Sequence, residues 1–238
     1  MNTDPVDINC DLGEGLNNEE VIMPLIDSCN IACGGHAGDL PTMLRVIALA
    51  RQHKVAIGAH PSYPDREHFG RRSLDIDTTD LTAALQQQME AFENVLTKAN
   101  GALHHIKAHG ALYNDLAVNP KLALSYLEAL RSYKNKAVFY VPFDSEIGRL
   151  AKSLGYRVAV EAFGDRNYTD ELRLVNRKES NALITDKEQV LEHIARIRQG
   201  RVRTVGGKEL PLKADTICVH SDTDNAVEIL KYLKKHLN

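Results

Sequence analysis

Four histidines of this chain, His36, His60, His109 and His220, stand close behind apolar runs and ahead of further polar groups. The segments read CNIACGGHAGD, VAIGAHPSYPD, LHHIKAHGALYN and DTICVHSD. A fifth run, VDINCDLGE, ends in Asp11 and Glu14 instead. Imidazoles exchange protons near neutral pH, and carboxylates serve as bases, metal ligands or orienters of histidine. Lys107 closes its own apolar run, so its ammonium is expected to be semi-buried, where lysine pairs with a carboxylate or shifts its pKa. Pro61 and Pro64 stiffen the loop that presents His60. Arg71 and Arg72 offer two guanidiniums suited to a carboxylate or phosphate, or simply to solvated surface charge. Glu161, Asp165 and Arg166 form a weaker sixth group.

Each of these residues has a structural alternative. Asp39 precedes Pro41 and has the type and position of a helix N-cap. Asp222 stands where it would cap the last helix. His104 and His105 lie deeper in their run and read as packing residues. Asn9 and Asn114 belong to the first and fourth clusters and are polar candidates for ligand contact.

Chemistry confined to one end of apolar runs needs elements that bring those ends together. Seven strand candidates occur, at 6–11, 29–33, 55–59, 103–107, 137–141, 157–163 and 215–220. Most are continuous apolar runs, the pattern of strands covered on both faces. Amphipathic helices are expected at 79–99, 143–154 and 223–237, and another behind a capping box at Thr185 and Glu188 that ends at Gly200. This alternation predicts βα units in a parallel sheet or barrel, with the functional loops at the C-terminal ends of the strands. Two segments break the rhythm. Residues 164–182 are polar and long enough for a functional loop, and 201–214 reads as a hairpin turning at Gly206-Gly207. One domain over 1–238 is expected.

Composition narrows the class. A net charge of −3 and 5% aromatic residues with no tryptophan disfavour nucleic acid as partner. No apolar run approaches the ~20 residues that span a bilayer, and Asp4, Asp7, Asp11 and Glu14 interrupt any secretory leader. Cys29 and Cys33, if on one strand, lie roughly 13 Å apart, too far for a disulfide. Reduced buried thiols and a cytoplasmic protein are the expectation. Walker A, G-x-S-x-G and H-E-x-x-H motifs are absent: Gly207-Lys208 is followed by Glu209, and Val202 takes the place of the leading glycine. The site must be assembled from scattered strand ends.

In order, NCDLGE, NIACGGHAGD, AIGAHPSYPDREHFGRR, HIKAHGALYN, EAFGDRNY and CVHSD resemble the LamB/YcsF family over about residues 6–235. The resemblance implies an α/β fold, a distorted seven-stranded (β/α) barrel akin to the glycoside hydrolase/deacetylase fold. It also implies ATP-dependent opening of the 5-oxoproline lactam to L-glutamate, with ATP as co-substrate and two partner subunits, B and C. The sequence departs from the family pattern at Gly35 (commonly phenylalanine), Ser62 (glycine), Ala108 (proline) and Ser221 (glycine).

Lactam opening through a phosphorylated amide oxygen needs a base for water, cations near phosphate and an anchor for the substrate carboxylate. We expect Asp11 with His60 or His109 in acid/base roles and Lys107 against developing negative charge. Arg71, Arg72 or Arg166 would take carboxylate or phosphate. Asn9, Glu14, His36, Asp39, Asn114, Asp165, His220 and Asp222 complete the substrate-binding candidates. Two alternatives remain open. One is a metal-dependent amidohydrolase or deacetylase without ATP, with Asp11, His36, His60 and His109 on Zn²⁺ or another divalent ion. The other is a non-catalytic subunit that binds a small anion.

Overall fold

Seven apolar runs pair in parallel and in sequence order, and the last closes onto the first. The computed structural model describes residues 6–237; Asp4 lies outside them. In chain order the elements are β1 (Asp7–Leu12), α1 (Glu19–Ile22), β2 (Ser28–Ala32), α2 (Leu40–His53), β3 (Ala56–His60), α3 (Thr78–Lys98), β4 (Leu103–Lys107), α4 (Gly110–Val118) and α5 (Pro120–Ala129). Then follow β5 (Val138–Pro142), α6 (Glu146–Ser153), β6 (Val158–Phe163), α7 (Lys187–Arg198), β7 (Arg201–Arg203), β8 (Glu209–Pro211), β9 (Thr216–Cys218) and α8 (Ala226–His236). Strands β1 to β6 and β9 form the closed barrel, so every βα loop leaves from one rim. The seven expected strands all form, each within a residue or two of its expected limits. Among the described residues no helix is long and apolar enough to cross a membrane.

Helices cover the barrel for ordinary reasons. Met43, Val46, Ile47 and Ala50 recur at three- and four-residue steps along α2 and are buried. Asp39 does cap this helix, accepting from the Thr42 N–H at 2.8 Å. The cap of α7 is Asp186, which accepts from Gln189 N–H, rather than Thr185. The hairpin also shifts by one residue. Gly207 N–H donates to Thr204 O, placing Val205-Gly206 at the turn's centre.

The barrel interior departs from the expectation of strands apolar on both faces. Ile8, Cys10 and Leu12 of β1 belong to the apolar core, whereas Asp7, Asn9 and Asp11 alternate with them and bond across the lumen. Asp7 accepts from Ser28 Oγ at 2.9 Å and from the Thr216 hydroxyl. One level up, Asn9 Nδ2 donates to Glu161 at 3.0 Å and to Thr216 at 2.7 Å, and Asn30 Nδ2 donates to both Asn9 and Asp11 at 2.8 Å. Buried polar groups are tolerated only when paired, and these layers pair one another.

His105 belongs to this network rather than to apolar packing. Its Nε2 lies 2.7 Å from Asn30 Oδ1, and its ring stacks on Tyr140. Gly58 makes room for it: a Cβ there would overlap the His105 ring, next to a register shift between β3 and β4. Because Asn30 and Tyr140 hold the ring on both sides, Gly58→Ala should destabilise the fold by about 1–3 kcal/mol. Urea unfolding followed by circular dichroism checks this; an unchanged midpoint would show that the imidazole moves freely.

Candidate functional site

Above the Asn9–Asn30–His105 level, side chains from β1, β4, β6 and β9 meet at one point. Lys107 Nζ, at the end of β4, lies 2.9 Å from both Asp11 Oδ1 and Glu161 Oε1 and 3.2 Å from Cys218 Sγ. Lys107 is 2% exposed and Asp11 5%. Burial would lower the lysine pKa, but Asp11, Cys218 and Glu161 overcome it and hold the ammonium well above its usual value. Burial would likewise raise Asp11, yet the neighbouring His60 and Lys107 keep it well below the usual carboxylate range. The pair stays ionised.

Three imidazoles form the next level. His60 Nδ1 lies 2.8 Å from the Lys107 carbonyl, and His109 Nε2 lies 3.0 Å from the Phe69 carbonyl. Carbonyls only accept, so each of these nitrogens carries its proton, and in the neutral rings His60 Nε2 and His109 Nδ1 are bare. The bare nitrogens face each other at 3.0 Å. Glu14 Oε1 lies 3.3 Å from His109 Nδ1, 3.9 Å from His60 Nε2 and 3.0 Å from His36 Nε2. Asp11 Oδ2 is 3.4 Å from His60 Nε2. Burial and the neighbouring His109 push the His36 pKa down to about 3, and burial also lowers His109.

A dyad closes the opposite side. Asp165, fully buried at the end of β6, accepts from the His220 backbone N–H at 2.9 Å and from the Thr223 hydroxyl at 2.5 Å. Both of its oxygens lie 3.0 Å from His220 Nδ1. Burial would raise its pKa, but His220 and Thr223 bring it to about 2. Nδ1 is thereby occupied, leaving Nε2 as the basic nitrogen of a ring that stacks on Phe163 and keeps 12% of its side chain exposed. A ring nitrogen of His220 reaches within 4.8 Å of an Asp11 oxygen and Cys218 Sγ. Ser221 Oγ donates to the Asp11 carbonyl at 2.7 Å, tying this loop to β1.

The remaining candidates lie elsewhere. Arg71 reaches Asp222 at 2.5 Å, and Arg177 reaches the same oxygen at 3.0 Å, a guanidinium pair on the rim. Asp222 is thus an ion-pair partner and does not cap α8, whose N-cap is Asn225. Arg166 is spent inside the 164–182 loop, donating to Val175 O at 2.6 Å and to Ala182 O at 3.4 Å. Arg72, Asn114 and Asp39 are exposed, away from the buried cluster, and Asn9 lies one level below it. The sequence does not single out Arg177 or Asn30. Arg177 falls in the polar loop expected to be functional, while Asn30 is hidden inside an apolar run.

The chain as a whole is similar to known proteins. The LamB/YcsF family profile matches residues 6–238. A relative from Campylobacter jejuni subsp. jejuni serotype O:6, named as the A subunit of 5-oxoprolinase, is 40% identical over 98% of this chain and 93% of its own length. One of the same name from Bordetella pertussis is 39% identical over 93% and 90%. The crystal structure of a lactam utilization protein from Thermus thermophilus superposes with a TM-score of 0.90 at 32% identity, covering 98% of this chain and 95% of that one. A profile match that spans all seven barrel strands and every loop bearing the clustered acids, imidazoles and ammonium leaves one assignment: the chain belongs to the LamB/YcsF family.

Proposed function

We propose that this barrel, as one catalytic domain of a multi-subunit 5-oxoprolinase, opens the lactam of 5-oxoproline to L-glutamate at the expense of ATP. The observation that carries the reading is the meeting of Asp11, Lys107 and the Asp165–His220 dyad at the C-terminal mouth of one barrel. The names of the relatives support it, and the word subunit in those names supports partners, here taken as subunits B and C. Four free, buried cysteines favour the cytoplasm as its compartment.

A five-membered lactam resists water. Transfer of the ATP γ-phosphoryl group to the amide oxygen makes the ring carbon electrophilic. Water then adds, its proton passing to a base, and the C–N bond breaks with a proton delivered to nitrogen. Hydrolysis of the resulting acyl phosphate releases phosphate and glutamate. His220 suits the base better than His60 or His109, because its Nδ1–H is held by the Asp165 carboxylate, which stabilises the imidazolium, whereas theirs are held by neutral carbonyls. Lys107 supplies a fixed positive charge where an oxyanion develops. Arg71 and Arg177 suit the substrate carboxylate or phosphate, in exchange for Asp222. ATP binds through contacts this chain does not advertise as a motif, or together with a partner.

Purified chain, assayed with subunits B and C, should release phosphate in a 5-oxoproline-dependent manner. His220→Asn in that mixture should lower kcat about 10²- to 10⁴-fold. Absence of turnover in the wild-type mixture would refute the reading.

A further inference from the structure

The bare nitrogens of His60 and His109 point at each other and at carboxylate oxygens. His60 Nε2, His109 Nδ1 and Glu14 Oε1 face one another at 3.0 to 3.9 Å, and Asp11 Oδ2 lies 3.4 Å from His60 Nε2. Neither imidazole can donate into this space without taking up an extra proton, because its N–H is committed to a backbone carbonyl on the far side. Such an arrangement of acceptors is repulsive when empty and attractive around a cation. We propose that His60, His109 and Glu14 bind a divalent first-row transition ion.

Three independent features support this. Ligands at about 2.0–2.1 Å from a tetrahedral zinc are about 3.4 Å from one another. The separations of 3.0, 3.3 and 3.9 Å among the two nitrogens and Glu14 Oε1 bracket that spacing. Second, the backbone carbonyls that fix both imidazole tautomers are the outer hydrogen bonds expected of metal-bound histidines. Third, Asp11 and Glu161 share a single ammonium, Lys107, and Glu14 adds a further carboxylate beside His109, leaving two negative charges in excess among these four groups when the imidazoles are neutral. A dication balances that excess. Two imidazoles with carboxylates suit zinc, iron or cobalt better than calcium or magnesium.

His36 is a positioning residue in this arrangement and not a ligand. Its ring stacks parallel on His109 with centroids 3.5 Å apart, so one ion cannot lie in the plane of both rings. His60, at 88° to His109, shares an ion with it readily. His36 Nε2–H instead donates to Glu14 and aims that carboxylate, which leaves its buried Nδ1 as a lone pair without a partner. Bound here, the ion would polarise a carbonyl beside Asp11; that consequence, unlike the binding itself, rests on the proposed reaction.

The test is metal binding by the full chain with no lactam or nucleotide present, so its outcome is separate from that of the turnover assay. Protein stripped with a chelator and then freed of it is titrated with Co²⁺, read by visible d–d absorption, and with Zn²⁺, read by calorimetry. One equivalent per chain is expected. His60→Ala, His109→Ala and Glu14→Gln should each weaken binding by more than ~100-fold, and His36→Ala by about 10- to 100-fold. Circular dichroism establishes that each variant folds, and the wild-type titration decides the matter even if none does. Absence of saturable one-equivalent binding overturns the proposal, as does wild-type affinity in folded His60→Ala and His109→Ala.

Discussion

Lys107→Met should destabilise the barrel by about 3–5 kcal/mol and abolish turnover, the largest effect expected of any single substitution here. The ammonium touches two carboxylates at 2.9 Å in a site almost closed to water. Methionine of similar length fills the volume, so packing loss is small and the cost is electrostatic. Asp11 and Glu161 would face each other without a counter-charge, and one must take up a proton. A double-mutant cycle separates this from simple disruption. Asp11→Asn removes one of the charges that Lys107 neutralises, so Lys107→Met/Asp11→Asn should be less destabilised than the two single changes together. Urea unfolding of the four proteins measures the coupling. Strict additivity, or a Lys107→Met protein with wild-type turnover, would place the ammonium outside both the stability and the chemistry of the site.

The barrel strands are legible in the sequence because a parallel strand must bury both faces, and short apolar runs bounded by polar clusters stand out. What does not stand out is the inner face. Asn9, Asn30 and His105 sit inside those runs as single polar residues, and nothing local announces that they bond to one another across the lumen. Their pairing is set by barrel closure, a property of all seven strands at once. The same holds for the site. Each cluster carries its own candidates, but whether Asp39 caps a helix or meets a ligand depends on a turn geometry of a few ångströms. Glu161 is only a weak candidate in the sequence: a carboxylate inside a strand becomes significant when Lys107, 54 positions away, points at it.

Two departures from the family pattern gain a joint explanation in space. A Cβ at Gly35 would collide with the Ser62 hydroxyl and the Gln88 amide. Gln88 is itself held by the Ser62 backbone, accepting from its N–H at 3.0 Å and donating to its carbonyl at 2.9 Å. A glycine at 35 and a serine at 62 therefore belong together. A phenylalanine at 35 needs the space that glycine at 62 would leave.

Acid should unfold the metal-free protein well above the pH at which carboxylates protonate. His36 is held down to about 3 by burial and the neighbouring His109, and His193 to about 4 by burial. His105 is driven well below its usual value, first by burial and then by His104 and Lys107. The sign follows from proton counts. Below about pH 6.5 the unfolded chain binds protons at these three rings and the folded chain does not. Stability is therefore complete above that pH and falls on acidification, by about 1.4 kcal/mol per pH unit for each ring so frustrated. Three rings over two pH units amount to roughly 8 kcal/mol, comparable with the whole stability of an ordinary domain. The low pKa values of Asp11, Glu14 and Asp165 act in a second, lower window: their contribution is present above about pH 4 and is lost as the pH falls through their folded values. Urea midpoints measured from pH 7.5 to 4.5 should drop steeply below 6.5, and His193→Gln, outside the site, should reduce that slope by about one proton. A midpoint independent of pH between 7 and 5 would mean that these imidazoles take up protons in the folded chain as readily as in the unfolded one, and the buried polar core would have to be redrawn.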